Sequence, residues 1–182
     1  VRDLTISEQE DEVYFTAQSF LGEISTIMTC KLKNGKWNDP QIVAFSGKFQ
    51  DLEPFLSPDQ LRLYFVSNRP LDEKSITPKD HDIWFVERQN LKSNWSIPKN
   101  MGLPINTNED EFYPSATLSN NLYFTRDGKG SKGKDDIFVA KYNTSGNRVW
   151  VRKAGGNKDD RGRDITLDGA GNLYLTAIKQ VV

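Results

Sequence analysis

Four recurrences of one short pattern make this 182-residue sequence all-β. A tyrosine followed by an apolar residue returns as Tyr14-Phe15, Tyr64-Phe65, Tyr123-Phe124 and Tyr174-Leu175, about 50, 59 and 51 residues apart. A hydroxyl residue precedes each pair, at Ser7, Ser57, Thr117 and Thr166. The stretches between hydroxyl and aromatic (EQEDE, PDQLR, LSNN and LDGAGN) are rich in turn residues, so each unit opens as strand, tight turn, strand. No segment sustains a 3.6-residue apolar period, because prolines and glycines interrupt every candidate helix.

Two more strand signals follow in each of the first three units. The third strand reads TIMTCKL (26–32), DIWFVER (82–88) and DIFVAKY (136–142), rich in β-branched and aromatic side chains that suit a pleated surface. The fourth carries a tryptophan: KWNDPQIV (36–43), NWSIPKNM (94–101) and RVWVRKAG (148–155). Pro40 and Pro98 each fall three residues after their tryptophan, and a residue without an N–H belongs on an outer edge. Four antiparallel strands with an edge-like last member compose a β-propeller blade. The predicted fold is one partial propeller domain over 1–182, with blades near 1–47, 48–107 and 108–156 and an incomplete blade at 157–182.

Blade four supplies only GRDITLDG and GNLYLTA, and the chain opens on an inner strand, DLTIS (3–7). An open ring of about three and a half blades and about fourteen strands is therefore expected. Unpaired edges and bare apolar faces associate, which predicts self-association or a marginally stable monomer.

Composition narrows the partners. Hydrophobic residues at 36% and charged ones at 27% suit a folded globular chain. A formal net charge of -1 gives no basic field for nucleic acid. No stretch approaches the roughly 20 apolar residues that span a bilayer, so no membrane insertion is expected. The single cysteine, Cys30, has no internal partner. The chain begins Val1-Arg2-Asp3 and reads as a processed or excised piece.

EPFLSPDQLRLYFVSNRP (53–70), followed by HDIWFVER and NWSIPKNMGLPINT, resembles the WD-like Pro-Asp propeller repeats of the TolB type. DEFYPSATLSNNLYFTRDG (110–128) continues that likeness, which covers about residues 1–138. Blade one keeps only the framework, with Leu4 where Pro54 stands and EQ in place of the turn's PD. From about Asp136, DIFVAKYNTSGNRVWVRKAGGNKDDRGRDITLDGAGNLYLTA (136–177) resembles a second family, the bacterial SBBP-type β-propeller repeat. Natural recombination and deliberate construction would leave the same switch. The resemblance implies a propeller fold and a bacterial periplasmic, envelope or secreted setting, and no reaction.

The residues themselves favour binding over catalysis. One histidine, His81, builds neither a multi-histidine metal site nor a histidine-based nucleophile site, and there is no G-x-S-x-G elbow. NTSGNRVW (143–150) lacks the aspartate of a sialidase Asp-box. RDGKGSKGKDD (126–136) offers Asp127, Asp135 and Asp136 to a calcium ion, but Lys129, Lys132 and Lys134 oppose one. It reads as a solvated loop, and NKDDRGRD (157–164) as a turn whose aspartates hold backbone amides. Trp37, Trp95 and Trp150 recur once per blade, and Trp84 stands in register with Phe138; all four read as packing residues. No metal and no cofactor is expected.

Recognition is expected at the loops between second and third strands, RPLDEKSITPKDH (69–81) and RDGKGSKGK, which stand on a rigid scaffold. Asn68, Arg69, Arg126 and Asp127, where those loops begin, are the expected contact residues. The expected function is a non-catalytic binding or scaffolding module that meets a protein or glycan partner through one face. The competing readings are the accessory propeller of an envelope peptidase or glycosidase, and a recombined or engineered fragment without a ligand.

Overall fold

The computed structural model describes residues 1–119, 121–126, 137–142, 148–154, 160–167 and 173–179. Those residues form fifteen strands and no helix. The chain is all-β, as the sequence predicts.

Sheet one contains β1 (Arg2–Ile6), β2 (Glu12–Gln18), β3 (Ser25–Lys33) and β4 (Lys36–Trp37) in that order, with β5 (Gln41–Ile42) also paired to β3. Sheet two runs β6 (Asp51–Leu56), β7 (Arg62–Ser67), β8 (Asp82–Glu87), β9 (Lys99–Asn100). Three antiparallel pairs follow: β10 (Glu111–Ala116) with β11 (Leu122–Arg126), β12 (Ile137–Tyr142) with β13 (Arg148–Ala154), and β14 (Asp160–Leu167) with β15 (Leu173–Lys179). The first strand of one unit lies beside the first strand of the next: β1 by β6, β6 by β10, β10 by β14.

The hydroxyl of the repeat is a turn cap. Ser7 Oγ accepts the amides of Asp11 and Glu12, each at 3.0 Å. Ser57 Oγ accepts that of Arg62 at 2.9 Å, and Thr117 Oγ1 that of Asn121 at 3.1 Å. Each cap closes the reversal locally, so the next strand pairs at once.

The adjacent aromatics follow from strand geometry, since neighbouring side chains point to opposite faces. Phe65 joins Tyr14, Ile27, Leu63 and Trp84 in the core between sheets one and two. Tyr64 joins Ile83, Leu122 and Phe124 in the core between sheet two and the β10–β11 pair. One dipeptide thus anchors its sheet on both sides.

The outer strands depart from expectation. In place of continuous fourth strands at 36–43 and 94–101, the ladder keeps only β4, β5 and β9, each two residues long. Pro40 and Pro98 cannot donate, and side chains complete the edge. On β3, Ser46 Oγ accepts the Ile27 amide at 3.0 Å and Asn38 Oδ1 the Lys31 amide at 2.5 Å. On β8, Asn106 accepts the Ile83 amide and donates to the Ile83 carbonyl, both at 2.9 Å, while Ser96 Oγ takes the Glu87 amide at 3.1 Å. Edges satisfied this way are poor templates for another strand.

The tryptophans divide. Trp84 is buried and Trp95 packs on the same core; the Trp150 ring meets Tyr123 edge-on at 6.2 Å. Trp37 is 40% exposed, which corrects the packing expected of it. Trp95 reaches back to sheet one, whereas no sheet covers Trp37 among the described residues.

Candidate functional site

Three buried polar residues meet in register where β6 begins, β7 ends and β8 begins: Asp51 opposite Ser67, and Ser67 opposite Asp82. Arg69 folds back onto this row. Its Nη2 lies 2.5 Å from Asp51 Oδ1 and donates to the Phe45 carbonyl at 3.1 Å, while Nε donates to Ser67 Oγ at 2.9 Å. The guanidinium stacks over Phe65 and Trp84, 5.0 and 5.4 Å from the ring centroids. Asn68 serves the same junction, its Oδ1 accepting the Gln50 amide at 3.0 Å.

The next unit repeats the arrangement with other residues. Glu111 pairs in register with Arg126, whose Nε lies 2.8 Å from Glu111 Oε1 and whose Nη2 reaches the carbonyls of Pro104 and Ile105. Burial pushes the Glu111 carboxyl up to about 7, against the opposing pull of Thr107 and Arg126. Arg126 occupies the register position of Ser67, two residues earlier than Arg69. An arginine thus neutralises the buried acid in both units from different positions.

Of the four expected contact residues, Asn68, Arg69 and Arg126 have polar groups engaged inside the chain. Asp127 lies outside the described residues, as does the 127–136 segment considered for calcium. His81 is tied in rather than presented: its amide donates to Asp110 Oδ1 at 2.7 Å, Nε2 lies 3.3 Å from Gln50 Oε1, and its ring stacks on Phe112. Among the described residues no group of three or more histidine, cysteine or carboxylate side chains is disposed to hold a metal ion.

Beside Arg69 opens a groove of about 450 Å³, bounded by the start of the long β7–β8 loop and by the segment leading into β9. Phe49, Pro70, Leu71, Ile97 and Pro98 supply apolar walls, with Trp84 and Arg69 among the lining residues and Glu73 on the loop. Leu71 is 64% exposed and Ile97 70%. Asn100 contributes an amide already committed to Asp82 Oδ2 at 2.7 Å. Buried Trp84 Nε1 has no hydrogen-bond partner. A second cleft, about 600 Å³, lies at the opposite end of sheet two between Arg62, Glu87, Arg88, Gln89 and Asn94. Polar residues supply most of its lining, and its two arginines stack on Phe85 and Trp95.

Sequence reasoning found the loop that borders the groove but not the groove itself, because Phe49, Leu71 and Ile97 come from three separate connections. It also missed a set of bulges in the first strands. Asp3, Glu53 and Tyr113 all take left-handed backbone at φ 53–54°, each at a register shift against the second strand. Pro54 and Pro114, lying inside strands, were the available signal. No family model matches the chain, and no curated protein matches it.

Proposed function

We propose that the chain is a run of β-propeller blades acting as a non-catalytic binding module, with the groove beside Arg69 as its recognition site. The apolar groove on a braced rim carries this reading: loop residues form the walls, and an internal ion pair holds Arg69 beside them. The propeller architecture is supported by successive first strands lying side by side and by paired aromatics feeding two cores. The resemblance to envelope propeller repeats supports a bacterial periplasmic or secreted setting.

Between protein and glycan, the lining favours a protein. A sugar needs several free donors and acceptors, whereas Arg69 and Asn100 are already engaged. An extended peptide with apolar side chains sets fewer polar demands on Leu71, Ile97 and Pro98. The test pairs a displayed library of short peptides with a glycan array, using this chain and its Leu71→Asp/Ile97→Asp variant. Peptides that bind the parent chain and not the folded variant are the expected result. Binding confined to glycans, or peptide binding that the variant retains, would overturn the assignment.

A further inference from the structure

We infer that Glu53 is a proton-operated latch, its carboxyl group setting how tightly sheet two holds the strands on either side of it. The geometry is a three-way junction. Glu53 Oε2 accepts the Tyr113 amide of β10 at 2.6 Å, and Oε1 lies 3.3 Å from Arg2 Nη2 of β1. The Glu53 amide donates to Thr16 Oγ1 of β2 at 3.0 Å. Bulges make this possible, because a left-handed residue breaks the ladder and redirects both its amide and its side chain towards the neighbouring unit. Asp3, Glu53 and Tyr113 are the bulged residues of three consecutive first strands, and all three enter the junction.

Glu53 is 5% exposed. Burial pushes its carboxyl up to about 8; the Tyr113 amide pulls it down, Asp3 raises it further, and Arg2 lowers it. Other charged groups on the strands packed around β6 have partners elsewhere. Glu12 of β2 pairs with Lys31 of β3, Arg62 of β7 with Glu87, and Glu111 of β10 with Arg126; Lys33 of β3 is exposed. Arg2, Asp3 and Tyr113 therefore govern the proton. A folded value above the ordinary 4.5 means that the junction is fully stabilised below 4.5 and loosens progressively as pH rises from there to about 8, where the loss is complete. Ionisation places a charge where water is scarce, and opening the junction hydrates it.

The test is amide hydrogen exchange of this chain between pH 5 and 9, corrected for the intrinsic rate. Protection of the Tyr113 amide is expected to fall by up to tenfold per unit as pH rises towards the folded-state midpoint near 8, to level off above it, and to fall far less in Glu53→Gln. Two further variants keep the test decisive if that one fails to fold. Arg2→Met removes the favouring cation and moves the midpoint up; Asp3→Asn removes the repelling anion and moves it down. Flat protection in the parent chain, the same fall in Glu53→Gln, or a midpoint that neither charge variant moves would overturn the latch.

Discussion

The Arg88 guanidinium of sheet two lies 2.9 Å from the Glu12 carboxylate of sheet one, and both side chains are buried. Arg88 also donates to the Gln60 carbonyl at 2.8 Å and stacks over Trp95, whose Nε1 donates to Tyr14 Oη at 2.9 Å. Tyr14 in turn donates to Glu12 at 2.7 Å. This closed circuit stitches the two sheets together beside their shared core.

Arg88→Met is expected to destabilise the chain by about 3 kcal/mol, because it leaves a buried carboxylate with only Lys31 as counter-charge. Denaturant unfolding of the variant and of Glu12→Gln/Arg88→Met checks it; the double variant should lose less. Burial opposes Glu12 ionisation, yet Lys31, Tyr14 and Arg88 together hold its carboxyl below the ordinary value. Its contribution is therefore present above the ordinary carboxylate range and lost as pH falls through the lowered value. A Glu12→Gln variant should be less sensitive to acid than the parent chain.

Asn106→Ala removes the side chain that takes the Ile83 amide and shares the Ile83 carbonyl with the Met101 amide on the outer edge of β8. A loss of about 2 kcal/mol is expected, since a buried amide is left unpaired while the carbonyl keeps Met101. The matching change in sheet one, Ser46→Ala, strands the Ile27 amide and also takes a donor from buried Asp51, so a loss of about 2 kcal/mol is expected there too. Losses below about 0.5 kcal/mol in thermal unfolding of either variant would contradict this account of the edge.

Glu10→Gly is expected to stabilise the chain by about 0.5–1 kcal/mol. Glu10 holds a left-handed backbone at φ 53° in an exposed turn, where glycine avoids the Cβ clash. Gln60 has the same backbone, but its side chain donates to Gln9 at 2.9 Å, so Gln60→Gly should give a smaller gain. Melting temperatures of the two variants decide the order.

Arg69→Lys should fail to restore what Arg69→Ala removes. A single ammonium cannot serve Asp51, Ser67 and the Phe45 carbonyl together, nor stack between Phe65 and Trp84. Both variants are expected to lose about 3 kcal/mol, with Asp51 left buried beside a weaker or absent partner. Unfolding midpoints within error of the parent chain would show that the ion pair does not brace the groove.

The sequence by itself determined the inner strands and their turns, though not the broken outer ones. Third strands expected at 26–32, 82–88 and 136–142 form at Ser25–Lys33, Asp82–Glu87 and Ile137–Tyr142, because β-branched and aromatic runs and capped reversals act over a few residues. Only the tertiary structure decided where the polar groups go. Arg69 and Arg126, read as outward contacts, turn inward because Asp51 and Glu111 become buried and a buried charge requires a partner. Trp37 and Trp95 occupy matching positions, yet among the described residues only Trp95 has a neighbouring sheet to pack on, through Tyr14, and Trp37 is left 40% exposed. Glu53 meets Arg2 and Tyr113 across 51 and 60 positions of chain. Such a meeting depends on how whole sheets stack, and no local pattern of residues encodes it.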